Sequence, residues 1–207
     1  MNTPVLIAQE YSSAICANQG LSGSRYYSNA YKDHREWHIL GSAQRIFAKS
    51  NISFPTHARK AEGPDFHLYD STGTLAYGME ITTVLPPNYK VHEHHREWEK
   101  SGSKPYSYAY PAYSEHWNWL RKALLEKLNM PYISGCSVLV YFDVSIGDTN
   151  EQYMDFRDAI EAEFKHHPAG IFGLTIRKEL HVRELIVLAS GLNELAIVYP
   201  GLSYLSF

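Results

Sequence analysis

A pair of alternating segments around a tight turn constrains the fold of this chain more than any other feature. Residues 65–69 and 74–83 alternate in polarity around the turn sequence Asp70-Ser71-Thr72-Gly73, which predicts a β-hairpin. With position 69 facing position 74, the register assigns a set of apolar side chains to one face. These are Phe66, Leu68, Leu75, Tyr77, Met79 and Ile81. That face is the predicted core.

The other face of the hairpin carries two carboxylates. In this register Asp65 lies diagonally across from Glu80, where Cα atoms are roughly 7 to 8 Å apart, and Thr82 shares their face. Two carboxylates this close repel each other unless a cation neutralises them, and hard oxygen ligands suit Mg²⁺ or Mn²⁺. Gly78, predicted opposite Asp65, favours a close approach by a ligand. The alternative is a solvated face whose acids have no function.

The segments that flank the hairpin predict a sheet covered by helices. Helices are predicted at residues 31–49, 92–100, 114–129 and 151–167. Strands are predicted at residues 136–145, 172–176, 184–189 and 194–199. The expected fold is therefore α/β (α+β), with a mixed β-sheet flanked by helices.

Length and composition predict a single domain spanning residues 1–207, since 207 residues with 44% hydrophobic side chains support one substantial core. Residues 31–145 form its predicted centre, the polar residues 85–112 an insertion or lid, and residues 151–207 complete the sheet. The net charge of -3 gives no global attraction to nucleic acid but leaves room for a local basic groove.

Cysteine usage and the N-terminus predict a cytoplasmic protein with no membrane partner. Cys16 and Cys136 are far apart and outside any CxxC pair, which fits a reducing compartment and excludes a zinc ribbon. The N-terminal residues have neither a basic leader nor a long apolar run, so no signal peptide or membrane anchor is expected.

Two predicted helices each carry a charge on their apolar side. Lys127 projects onto the arc of Leu120 and Leu124, whereas Lys122 and Glu126 project from the opposite side. The alternative without a functional role is that the aliphatic part of Lys127 packs on apolar side chains while its ammonium group extends into water.

The first predicted helix has a comparable feature. Glu36 lies in the middle of an apolar stripe, and a buried carboxylate needs a partner. The stripe comprises Ile39, Leu40, Ala43, Ile46 and Phe47. The alternative to a functional role for Glu36 is a salt bridge to an arginine.

These residues resemble a known family. Gly63-Pro64-Asp65-Phe66, a short hairpin and then Glu80-Ile81-Thr82 are similar to the motif of the PD-(D/E)xK nuclease superfamily, which has the restriction-endonuclease-like fold. The resemblance spans residues 31–144 in element order. It implies a metal-dependent phosphodiesterase in which Asp65 and Glu80 bind Mg²⁺ or Mn²⁺, together with the main chain at Ile81.

The same resemblance gives expected roles to the two helical charges. The family lysine falls at Thr82, so Lys127 becomes the candidate replacement that orients water or stabilises charge on the phosphate. Many members place a glutamate of the first helix beside the metal, and Glu36 matches that role. A catalytically inactive relative that binds nucleic acid or protein is the second hypothesis, and the loss of the lysine supports it.

Candidate substrate contacts cluster in the predicted insertion. The sequence KPYSYAYPAY offers Tyr106 and Tyr108, which either stack on bases or pack on their own domain. Nearby basic residues make the segment a candidate nucleic-acid surface; they include Lys90, Arg96 and Lys104. His67 shares the face of Asp65. We expect DNA rather than RNA as the partner, and a homodimer is left open.

The eleven histidines suggest a third hypothesis, a zinc hydrolase. His34 and His38 have the helical i, i+4 spacing of a metal pair, and residues 92–95 read HEHH, but neither completes HExxH. His34 and His38 project away from the apolar stripe, which predicts that they lie in water.

Overall fold

An eight-stranded mixed sheet organises the part of the chain that the structure describes. This computed structural model describes residues 3–49, 51–84, 90–102, 113–128, 130–133, 135–142, 184–189, 195–199 and 203–206. The strands are β1 (Val5–Leu6), β2 (His57–Lys60), β3 (Phe66–Tyr69), β4 (Leu75–Val84), β5 (Ser137–Phe142), β6 (Glu184–Ala189), β7 (Leu195–Tyr199) and β8 (Ser203–Ser206). They lie side by side in chain order.

Five described helices accompany the sheet. They are α1 (Ile7–Asn18), α2 (Gly23–Tyr26), α3 (Lys32–Lys49), α4 (Val91–Ser101) and α5 (Tyr113–Leu128), with a 3-10 turn at Asn29–Tyr31. The predicted α/β class is confirmed. The predicted helix at 151–167 and strand at 172–176 lie outside the described residues.

Parallel pairing is confined to the middle of the sheet. β5 runs parallel to β4 and to β6, whereas β1 to β4 and β6 to β8 are joined by antiparallel pairs. Val138, Leu139 and Val140 of β5 are fully buried. A nearly continuous apolar run is expected for a strand that is covered on both faces.

Helices cover the two faces of the sheet differently. On one face, α3 packs over β3 and β4, where the Trp37 and Phe66 rings meet edge to face with centroids 4.6 Å apart. α1 packs on α3 and buries Ile7 and Ala14. On the other face, α5 packs against β4. The sequence patterns predicted neither α1 nor β2.

The hairpin of β3 and β4 has the predicted faces but not the predicted register. Phe66 pairs with Met79 and Leu68 with Tyr77, two positions further along β4 than expected. A bulge follows Leu68, and the turn closes with a hydrogen bond from the Asp70 N–H to the Thr74 carbonyl at 3.0 Å. Because the shift is even from Phe66 to Leu68, these residues keep their predicted faces. Beyond the bulge Tyr69 pairs with Leu75, and the prediction that Leu75 lies in the core is wrong, since it is 54% exposed.

The predicted position of Gly78 is wrong. This glycine pairs with His67 instead of standing opposite Asp65. A Cβ atom at position 78 would lie 2.5 Å from Cγ of Pro64 and 2.7 Å from Sγ of Cys136. Gly78 therefore permits close packing by the chain itself, and this packing accounts for the glycine without an approaching ligand.

None of the helices in the described part of the chain is both long and apolar enough to cross a bilayer.

We predict that Gly78→Ala lowers the free energy of unfolding by about 1 to 3 kcal/mol, because the added methyl group overpacks the contact between Pro64 and Cys136. Urea unfolding followed by circular dichroism measures the change. Ala76→Ser, at an exposed position of the same strand, is the matched control and should stay within about 0.5 kcal/mol of the wild type. An unchanged stability in Gly78→Ala would contradict the packing described for this glycine.

Candidate functional site

The two predicted acids, Asp65 and Glu80, lie next to each other beside the first residue pair of the hairpin, which is Phe66 and Met79. Asp65 immediately precedes β3, and its main-chain N–H donates to Oε2 of Glu80 at 3.2 Å. Its own Oδ2 accepts a hydrogen bond from the Ile81 N–H at 2.8 Å. Asp65 thus continues the ladder between the two strands through its side chain. The shifted register brings these acids directly across from each other instead of diagonally.

Lys127 of α5 contacts Glu80 of this pair. Its ammonium forms an ion pair with Oε1 of Glu80, whose side chain is 2% exposed, whereas the Lys127 side chain is 25% exposed. Leu120 and Leu124 are fully buried on the same side of α5. The lysine stem follows this apolar side and places its charge against a buried carboxylate. Lys122 and Glu126 are exposed, as the helical projection predicts.

Tyr132 is a site residue that the sequence analysis missed. Its hydroxyl donates to Oε1 of Glu80 at 3.3 Å. Burial, followed by the nearby charge of Glu80, raises the pKa of Tyr132 to about 12. The loop that carries Tyr132 leads into β5, which pairs in parallel with β4 next to Glu80. The position of this loop follows from the parallel pairing of β4 with β5 and not from a local sequence pattern.

Cys136 lies under the same loop. Its thiol donates to the Tyr132 carbonyl at 3.3 Å. Burial and, to a smaller degree, the charge of Glu80 raise the pKa of Cys136. The thiol is thus held in its neutral form, which makes it a packing residue of the site rather than a nucleophile.

Thr82 lies two residues beyond Glu80 on the same face of β4, next to Val140 of β5. It is 9% exposed. A threonine hydroxyl carries no charge, so the cation in contact with Glu80, among the described residues, comes from α5.

The predicted place of Glu36 beside the hairpin acids is wrong. Glu36 is buried, as expected, but its carboxylate forms ion pairs with Lys60 and Lys32. Lys60 pairs with Phe66 across β2 and β3, and its ammonium lies 4.6 Å from the centre of the Phe66 ring. These groups occupy the α3 face of the sheet, whereas Glu80 points to the α5 face. The structure therefore shows the salt-bridge alternative, with lysines in place of an arginine.

Asp65 and Glu80 are the described residues that could contribute oxygen ligands to a hard divalent cation at this site. The N–H and C=O of one strand residue point to the same side, so the Ile81 carbonyl faces the Asp65 side of β4. Within the described residues, no three His, Cys, Asp or Glu side chains form a group that could hold a metal ion. An ion at Asp65 and Glu80 would therefore retain several waters, which is the usual coordination of Mg²⁺.

His34 and His38, the helical pair of the zinc hypothesis, each lie beside a tyrosine ring. The ring of His34 lies 5.7 Å from that of Tyr31, and the ring of His38 lies 5.5 Å from that of Tyr11. Both histidines are half-buried, so the prediction that they lie in water is wrong. The amphipathic projection missed this because it does not include the neighbouring elements, which are α1 at His38 and the 3-10 turn at His34.

The candidate substrate residues are spread over different elements. His67 lies on the Glu80 face of β3, where its Nδ1 is 3.3 Å from Nη2 of Arg59. Lys90 and Arg96 are exposed at α4, and Lys90 forms an ion pair with Glu93. α4 packs on α2. Three further candidates lie outside the described residues: Lys104, Tyr106 and Tyr108.

Comparisons with protein-family models, curated proteins and solved structures gave no match to this chain. Function must therefore be inferred from the site itself.

We predict that Tyr132→Phe changes how stability responds to alkaline pH. The folded chain holds the Tyr132 proton up to about pH 12, whereas an unfolded tyrosine releases it near pH 10, at about its reference pKa. The contribution is therefore fully present below pH 10 and is lost as the pH rises to 12. The free energy of unfolding of Tyr132→Phe should fall less steeply over this range. Parallel curves for the two proteins, measured by urea unfolding, would show that Tyr132 is not held as described.

Proposed function

We propose that this chain is a Mg²⁺-dependent nuclease of the PD-(D/E)xK type, with a restriction-endonuclease-like fold, and that it hydrolyses phosphodiester bonds of DNA. One observation carries the proposal: two acids of a hairpin and a lysine of a separate helix meet on one face of a mixed sheet. This combination provides ligands for a hard cation and a positive charge next to it.

Each group has a distinct role in the proposed reaction. Asp65 and Glu80 would hold the ion, with the Ile81 carbonyl as a further ligand. Such an ion would supply Lewis-acid chemistry when bound, since a divalent cation can lower the pKa of a coordinated water and neutralise charge on a phosphate. Lys127 supplies the fixed positive charge that Thr82 lacks, and a preorganised ammonium is effective where negative charge develops on phosphate oxygens.

Tyr132 supports this arrangement indirectly. It donates to the same Glu80 oxygen as Lys127, and so helps to fix the orientation of that carboxylate. A phenol is protonated at neutral pH at its ordinary pKa, and the raised pKa of Tyr132 strengthens this, so Tyr132 acts as a donor and adds no negative charge. It is a positioning residue in this scheme.

A second function has its own support, which is binding without catalysis. Both carboxylate oxygens of Glu80 already have partners within the chain, namely Lys127 and Tyr132 on Oε1 and the Asp65 N–H on Oε2. A buried carboxylate satisfied in this way is stable without a cation. The chain would then use the fold to bind nucleic acid or protein.

We predict that the purified protein cleaves labelled duplex DNA in MgCl₂ and that EDTA abolishes cleavage. Asp65→Asn, Glu80→Gln and Lys127→Met should each lower the cleavage rate at least roughly 100-fold, the typical loss when one electrostatic catalytic group is removed. Glu62→Gln and Lys122→Met alter exposed residues near Asp65 in sequence and on α5, and should retain the wild-type rate.

Two outcomes would contradict the proposal. Retention of DNA in a binding assay without cleavage, by wild-type protein in MgCl₂ or MnCl₂, would favour the binding module. Cleavage at the wild-type rate by both Asp65→Asn and Glu80→Gln would assign the activity to another site or to a contaminant.

A further inference from the structure

We propose that Arg59 and His67 form a phosphate-binding pair that holds the DNA backbone next to the acids. This inference rests on the proposed nuclease function and extends it, because it predicts that the nucleic-acid strand runs along β2 and β3 beside the acids. No sequence motif identified Arg59, since β2 was not predicted.

Strand register places the pair next to the acids. Arg59 of β2 pairs with His67 of β3, which in turn pairs with Gly78 of β4. Two residues further along, the Ala61 N–H donates to the Asp65 carbonyl and the Asp65 N–H donates to Glu80. Side chains two residues apart in a strand share a face and are separated by roughly 7 Å. The cationic row therefore lies one row away from the acidic row.

The contact between Arg59 and His67 prepares donors for an anion. An arginine can only donate hydrogen bonds, so Nδ1 of His67 accepts from Nη2 of Arg59 at 3.3 Å. The imidazole then carries its proton on Nε2, which becomes a second donor. The contact to His67 uses one of the five guanidinium N–H groups, and a planar fork of this kind suits two oxygens of one phosphate.

Burial indicates that this row is accessible, as is Asp65, which is also half-buried, whereas Glu80 is enclosed. Arg59 and His67 are half-buried, whereas Glu80 is 1% exposed beneath α5. The guanidinium also lies 5.9 Å from the centre of the Tyr69 ring on the same face. An elongated polyanion can therefore lie along β2 and β3, with one phosphate on Arg59 and a neighbouring phosphate directed towards Asp65 and Lys127.

The test measures how substrate affinity depends on salt. Cleavage of a duplex oligonucleotide in MgCl₂ gives kcat and KM, and fluorescence anisotropy in EDTA gives Kd, each over a series of NaCl concentrations. The proteins are wild type, Arg59→Gln, Arg59→Lys and the control Arg45→Gln. Arg45 is an exposed arginine of α3, next to Tyr11 of α1, so its substitution removes the same charge far from the proposed row.

We predict that Arg59→Gln raises KM and Kd roughly tenfold, as for the loss of one hydrogen bond to a charged group, with little change in kcat. The plot of log Kd against the logarithm of the salt concentration should become less steep by about 0.9, the value for one duplex phosphate contact. Arg59→Lys should keep the wild-type slope, which a merely structural role would not require. Arg45→Gln should resemble the wild type.

Failure of the phosphate-binding pair and failure of the nuclease function give different experimental results. Wild-type cleavage with KM, Kd and salt slope unchanged in Arg59→Gln would overturn the phosphate-binding pair and leave the nuclease proposal standing. Absence of both binding and cleavage in the wild type would overturn the two together. Thermal melting establishes that each variant is folded; if Arg59→Gln is not, a wild-type Kd in His67→Phe together with a reduced salt slope in Arg59→Lys would equally overturn the pair.

Discussion

The ion pair between Glu80 and Lys127 is the interaction on which the rest of the site depends. A carboxylate that is almost completely buried is costly unless a charge and hydrogen bonds compensate it. Here the compensation comes from three separate parts of the chain, which are α5, the loop before β5 and the main chain at Asp65. The pair therefore couples the position of a helix to the geometry of the hairpin.

A second buried ion pair on the other face of the sheet shows why the distinction between faces matters. Glu36 pairs with Lys60 between α3 and the sheet, away from the hairpin acids. Both Glu36 and Lys127 lie on the inner sides of amphipathic helices, and the sequence patterns treat them alike. The structure separates them, since α3 covers the face of Phe66 and α5 covers that of Glu80. The pair of Glu36 and Lys60 joins two elements, and the pair of Glu80 and Lys127 also adjoins a candidate metal site.

Much of the site was predictable because its residues lie on strongly patterned elements. The alternation of the hairpin put Asp65, Glu80 and Thr82 on one face, and the projection of α5 singled out Lys127. What failed depended on information that periodicity does not contain. A helical projection gives the buried side of α3 but not the face of the sheet that it covers. The bulge after Leu68 changed the register, and Leu75, which alternation assigns to the core, is exposed beyond it.

The residues that were missed share a different cause. β2 has four residues, two of them basic, so its pattern is too short to be recognised, and Arg59 was missed with it. Tyr132 lies in a connecting loop whose position follows from the parallel pairing of β4 with β5. Such long-range pairing is set by tertiary packing and cannot be read from local sequence.

The central claim is tested most directly by a double-mutant cycle on the free energy of unfolding, using Glu80→Gln, Lys127→Met and the double variant. If the two side chains compensate each other as described, their coupling energy should be about 1 to 3 kcal/mol, within the range for contacting charged partners. Losses that add to within about 0.5 kcal/mol, as for independent sites, would show that Glu80 and Lys127 do not form the pair on which this account depends.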